Sequence, residues 1–296
     1  MRARAAALCG ALLALAACDA MTEAPAEPPA EPLPPGTALP PDVDAMLYGN
    51  GKNCRQDDEC PGDVCYFGAC VGMLVVDQRW MQEQVSERLA AAAQRSPELR
   101  DRIVLHLVRV LERDDTDLAF RARALLPLER LGALDPLRAA LDSPLEPLAD
   151  AAALALARAG DPRGVPRARA LTESEDTAVA AEALRALGRS RSPEALVPLL
   201  RTLEPALDGA LLRSALDGLA ALGDPRAIRP LIDFLPGSPD YLRWRVVHTL
   251  RELTGAALGL DGAPWRAWLA EHPQPPAPAW TPRPFSAEQD LGLPTP

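Results

Sequence analysis

From Val76 onward, apolar residues recur every three or four positions, the spacing that gathers them on one helix face. Val76 to Gln94 reads as one helix. Pro97 to Glu112 reads as a second, with Ile103, Leu107, Val110 and Leu111 forming its apolar stripe. Leu/Ala-rich helices then follow, each predicted to end at a glycine: Gly132, Gly160, Gly188 and Gly223, at spacings of 28, 28 and 35 residues. After each glycine come a short break and a further amphipathic helix. The breaks repeat as Gly160-Asp161-Pro162-Arg163 and Gly223-Asp224-Pro225-Arg226, with looser versions at Leu134-Asp135-Pro136 and Ser192-Pro193. Glycine suits a helix C-terminus because it tolerates positive φ. Asp161 and Asp224 can accept amide hydrogens as N-caps, and the prolines then fit the first turn. Each unit is thus helix, tight turn, helix, and self-similarity at this period predicts a solenoid whose neighbours bury each other's apolar faces.

Two stretches carry a family resemblance. Ala183-Leu184-Arg185-Ala186-Leu187-Gly188 and the run Ala220 to Ile232, which contains Gly223-Asp224-Pro225-Arg226, resemble HEAT repeats of the short, phycobilisome-lyase-like subtype. The resemblance covers about residues 98–272. It implies an all-α, right-handed α-solenoid of helical hairpins. Such units often open the second helix with an apolar-Arg pair. Phe120-Arg121, Leu212-Arg213 and Trp244-Arg245 fit, whereas Leu148-Ala149 and Val179-Ala180 depart. By resemblance, those arginines would pair with the turn aspartates between units. The end of the array, from Leu253-Thr254-Gly255 to Trp265-Arg266-Ala267-Trp268, resembles the endings of exported bacterial HEAT proteins. An end unit needs bulky apolar groups over its last face, a role available to Trp244, Trp265 and Trp268. Residues 273–296 are proline-rich and expected to lack structure.

The N-terminus is of a different kind. Arg2 and Arg4 precede an apolar run, Ala5 to Ala17, which is too short to span a bilayer and is laid out as an export signal. Its ending, Leu15-Ala16-Ala17-Cys18, resembles a bacterial lipobox. The resemblance implies a signal peptide over 1–17, lipidation at Cys18 and a place in the cell envelope, anchored to the outer or inner membrane. Asp19 resembles a retention signal for the inner one. Residues 18–48 are expected to form a tether. Eight prolines between Pro25 and Pro41 fix φ and remove amide donors, so residues 19–45 are expected to join no helix or sheet and to reach about 80 Å.

Residues 49–75 hold Cys54, Cys60, Cys65 and Cys70. Four close cysteines in an exported chain read as a disulfide framework. The spacing lacks the Cys-x-x-Cys knuckle of a zinc site, and no twelve-residue calcium loop accompanies Asp57, Asp58 and Glu59. The segment resembles small stapled modules of exported myxobacterial proteins, which implies Cys54–Cys65 and Cys60–Cys70 pairing among three possible connectivities.

Composition narrows the function. Aromatics make up 4% of the 296 residues, so Leu and Ala must build the core, which favours helices. The net charge of −10 argues against a nucleic-acid partner. Residues 98–272 carry 26 acidic residues and 23 arginines, a nearly balanced surface. His106, His248 and His272 form no His-x-x-x-His pair, and neither a Gly-x-Ser-x-Gly elbow nor a phosphate loop is present. We expect no enzyme activity, cofactor, metal or small-molecule substrate. The solenoid points to a protein-interaction scaffold for an envelope protein, binding through the concave face of the second helices. Candidate contacts there are Arg123, Glu182, Arg185, Asp217, Arg251 and Glu252. Two alternatives are an accessory factor, lyase-like or chaperone-like, for a cofactor-bearing protein and a purely structural envelope lipoprotein.

Overall fold

The computed structural model describes residues 36–53, 64–66, 69–74, 79–113, 117–204 and 208–273. Cys18, Cys54 and Cys60 lie outside them, as do residues 1–35 and 274–296.

From Leu39 onward the chain forms one unit. It opens with helix α1 (Pro41–Tyr48) and three short strands, β1 (Gly49–Asn53), β2 (Val64–Tyr66) and β3 (Ala69–Val71). The strands pair antiparallel in the order β1-β3-β2, and the register sets Cys65 opposite Cys70. The expectation of an extended tether over residues 18–48 fails for Pro41–Tyr48. The reason is local: Pro41 sits in the first helical turn, where its missing N–H has no intrahelical partner to lose. Val43 and Leu47 are then fully buried with Met73 and Leu74, whose amides donate to Met46 O (2.9 Å) and Leu47 O (3.2 Å).

Two helices follow, α2 (Arg79–Ala93) and α3 (Pro97–Glu112), the second capped by Ser96, whose Oγ accepts from Leu99 N at 3.1 Å. Helices α4 (Leu118–Ala122) and α5 (Leu125–Arg130) make one interrupted helix. It breaks because Pro127 has no N–H to offer the carbonyl of Arg123, four residues back. Beyond it, short and long helices alternate. The short ones are α6 (Leu134–Leu141), α8 (Val165–Leu171), α10 (Leu196–Arg201), α12 (Ile228–Phe234) and α14 (Gly262–Glu271). The long ones are α7 (Glu146–Arg158), α9 (Thr177–Ser190), α11 (Gly209–Leu222) and α13 (Asp240–Thr254). Each long helix packs on the next, α7 on α9, α9 on α11 and α11 on α13, which makes the array an all-α solenoid.

The repeated turns form as their residues dictate. Gly160 (φ 77°) and Gly223 (φ 67°) take the left-handed conformation, and Asp161 and Asp224 accept the amides of Arg163 and Arg226 at 2.9 Å each. Gly188 differs. It lies inside α9, which ends at Arg191, a non-glycine at φ 52°. A Cβ at Gly188 would stand 2.3 Å from the Cα of Gly218 in α11. This glycine is therefore a helix-crossing residue and not a helix end. Two side chains sharing that spot would hold α9 and α11 apart.

The core consists of two clusters of buried side chains, one from Val43 to Leu156 and one from Leu154 to Trp265, which meet along α7. Every residue from Ala152 to Ala157 is buried, so α7 has almost no wet face. Trp265 is fully buried and its Nε1 donates to Gly259 O at 2.8 Å, while Trp268 packs against the cluster edge. Trp244 does not share this role. It is 53% exposed, because the inward face of α13 belongs to Leu242, Val246, Val247 and Leu250.

Candidate functional site

Charged side chains on the long helices meet from unit to unit. On α7, Arg158 donates to Glu129 of α5 and to Glu182 of α9, both at 2.7 Å. All three side chains are only 11–12% exposed. Glu182 also pairs with Arg185 at 2.8 Å, and Arg185 donates to Ser214 Oγ of α11 at 2.7 Å. One turn further along α11, Asp217 pairs with Arg245 of α13. The result is a polar ladder through α5, α7, α9, α11 and α13, with contacts 29, 24, 29 and 28 residues apart in sequence.

Each rung follows from helix geometry. Residues at the same phase of successive helices face one another, and i,i+3 neighbours such as Glu182 and Arg185 lie on one face. Alternation of sign then permits pairing without a bare buried charge, whose desolvation would be costly.

The six residues expected to contact a client are not equivalent. Arg123 sits at the break between α4 and α5, where its guanidinium donates to Leu74 O at 2.7 Å and so fastens the β3 end to the solenoid. Glu182 is internal to the ladder and, contrary to expectation, is not an exposed group: its neighbours on both sides need its carboxylate. Arg185 and Asp217 belong to the ladder too but keep 42% and 40% of their side chains exposed. Arg251 and Glu252 are exposed on α13. Glu129, Arg158, Ser214 and Arg245 complete the arrangement. The regular spacing of charged positions in the Leu/Ala helices was the signal that could have found them.

The turn aspartates have other partners than the family resemblance implies. Asp161 is held by Arg138 of α6 at 2.7 Å, and Asp224 by Arg226 of its own turn at 2.6 Å. Arg121 instead donates to Leu111 O at 2.8 Å, Arg245 pairs with Asp217, and Arg213 is exposed. The turn carboxylates are reached more closely by arginines of the short-helix layer. Burial works to raise the Asp224 carboxyl pKa. The Arg226 side chain, the Arg226 amide and the guanidinium charge outweigh burial and leave it below the ordinary value. Hydrogen bonds from Arg138 to Asp161 and then Asp135 raise the guanidinium pKa of Arg138.

A cleft of about 300 Å³ lies between α3, α4, α6 and α7, lined by Val108, Leu111, Arg121, Ala140 and Leu148. Its one buried charge, Arg121, serves the C-terminal carbonyl of α3. Among the described residues, no three His, Cys, Asp or Glu side chains are placed to hold a metal ion, and no helix is long and apolar enough to cross a membrane.

Residues 134–209, from the start of α6 to the start of α11, match the family described as HEAT repeats. No curated protein matches the chain. Among solved structures the chain is similar to an engineered protein from the Northeast Structural Genomics Consortium. The two share 21% identity at a TM-score of 0.38, over 62% of this chain and 94% of that one. From α2 onward the described chain is an α-solenoid, and its residues 134–209 match HEAT repeats.

Proposed function

We propose that this protein is a non-catalytic protein-interaction scaffold of the bacterial cell envelope, held to its membrane by a lipid on Cys18. The observation that carries the reading is the half-exposed pair Arg185 and Asp217 on adjacent helices. Glu182 and Ser214 hold one of them, and Arg245 holds the other. Charges already fixed by their neighbours lose little side-chain entropy when a partner arrives, which is the condition for a preorganised docking face. HEAT repeats generally mediate protein interactions, and the match over residues 134–209 supports the same role here. Arg251 and Glu252 extend the face onto α13. Glu182 supports it from behind by holding Arg185. In this reading the four cysteines staple the module between α1 and α2 as disulfides.

The test is capture from envelope extract with the full-length protein and with an Arg185→Ala/Asp217→Ala/Arg251→Ala/Glu252→Ala variant. A client retained by the first and lost by the second supports the scaffold. Identical captures from both proteins count against this face. Anchoring is tested separately: labelling with a radioactive fatty acid should disappear in Cys18→Ser.

A further inference from the structure

The contacts between long helices fix their register, and that register gathers unlike side chains on one open face. Gly209 at the start of α11 leaves room for the Tyr241 hydroxyl of α13, since a Cβ there would collide with it. Further along, Ser214 of α11 meets Arg185 of α9, and Asp217 meets Arg245 of α13. Residues three or four positions apart lie on one side of a helix. The same face therefore carries Arg185 and Arg189 on α9, Arg213 on α11, and Tyr241, Trp244 and Arg245 on α13.

Tyr241 and Trp244, one turn apart, are 58% and 53% exposed. The Arg245 guanidinium lies 4.8 Å from the Trp244 ring centroid, so Asp217 and the ring hold it between them. Arg213 stands beside this pair and is exposed. Among the described residues its side chain makes no ion pair or hydrogen bond.

Charge decides what such a face accepts. With Arg251 it holds five arginines against three acids, Glu182, Asp217 and Glu252, an excess of two positive charges in a chain of net charge −10. One of those acids, Glu182, is enclosed, its side chain only 12% exposed. Further acids, Asp176, Asp208 and Asp240, stand at the helix starts, on the Tyr241 side. Carboxylates of a ligand are thus drawn toward the arginines and repelled at the aromatic end. Tyr and Trp rings offer large contact areas to a second ring, and arginine forks fit carboxylates. The line from Arg185 through Arg213 to Trp244 crosses three helices, a path that an extended chain can follow.

We propose that this face takes an extended acidic segment of a partner protein, with a proline or aromatic ring seated on Tyr241 and Trp244 and carboxylates on Arg213 and Arg185. The proposal rests on the scaffold reading and adds the chemistry of the client.

Fluorescence anisotropy of the full-length protein tests it with labelled peptides built from the repeats Glu-Glu-Pro-Trp, Lys-Lys-Pro-Trp and Glu-Glu-Gly-Ser. The first should bind tightest, since only it offers both carboxylates and rings, and it should protect Trp244 from hydroxyl-radical oxidation. Arg213 and Trp244 are exposed, so Arg213→Glu and Trp244→Ala should fold, which circular dichroism verifies. Each should weaken the first peptide about tenfold, the loss expected of a central contact residue. Equal binding of the lysine repeat, or unchanged binding by either variant, overturns the proposal. Tighter binding of phosphatidylglycerol vesicles than of the acidic repeat also overturns it, by making a lipid surface the occupant. A client captured through Arg185 and Asp217 but indifferent to Arg213→Glu leaves the scaffold standing and overturns the acidic segment alone.

Discussion

At the scale of the residue, one atom decides between opposite outcomes. Gly188 sits inside a helix, where alanine would ordinarily add up to about 1 kcal/mol of stability. Its missing Cβ is what lets α9 approach the backbone of Gly218. Gly188→Ala is therefore expected to destabilise, by about 1–3 kcal/mol, because neither backbone can yield without separating the helices. A lower urea midpoint at unchanged slope would show it; a higher one would mean the crossing is loose. The Asp224–Arg226 turn gives a pH signature. The Asp224 carboxyl pKa is lowered in the folded state, so its stabilisation is full above the unfolded value of about 3.9 and fades as pH falls through the folded one. Arg226→Gln removes the guanidinium. Urea midpoints of the two proteins should differ at pH 7 and draw together only as pH falls from about 4 through the lower folded-state value. The gap should also shrink in high salt, since Arg226 is 62% exposed.

At the scale of the element, burial settles which segments belong to the fold. Helix α1 arises in a proline-rich stretch, yet Leu47 is fully buried in the same cluster as Met73, Leu89 and Ile103. Leu47→Ala should cost about 2–5 kcal/mol in chemical denaturation, the usual range for a cavity left in a packed core. A free tether would show no change at all. Much of the element pattern was legible from spacing: Pro97–Glu112 has the expected ends, and the Asp-Pro turns cap as expected. The ending of α9 was not. Gly188 looks like a helix stop in one dimension, because a glycine for φ and a glycine for clearance are the same letter. The break after Ala122 follows from Pro127 alone, a local rule that needs no tertiary contact.

At the scale of the whole molecule, Arg158 occupies the seam. The two core clusters meet on α7, and Arg158 at its end joins Glu129 of the first to Glu182 of the second. Arg158→Ala leaves the nearly buried Glu129 without its cation and Glu182 with Arg185 alone, at a cost of about 3–5 kcal/mol. In a solenoid, stability is a sum over units and their interfaces, so weakening one interface should uncouple what lies on either side. Hydrogen exchange should then report different opening free energies for residues 97–145 and 177–254 in the variant. If both segments still open together, the apolar contacts of α7 alone couple the halves.

The sequence by itself determined the class of structure. Apolar spacing, Leu/Ala content and recurrent Gly-Asp-Pro turns are short-range properties, and short-range physics suffices to make helices, cap them and repeat them. Only the tertiary structure decided which exposed-looking charges stay exposed. Glu182 and Asp217 read alike on a helical wheel, yet one is enclosed between two arginines and the other is 40% exposed. It decided the role of each tryptophan as well, burying Trp265 and leaving Trp244 outside. The reason is the same in both cases. A side chain's pairing depends on the phase and distance of a helix some thirty residues away, and that relation exists only once the units have stacked.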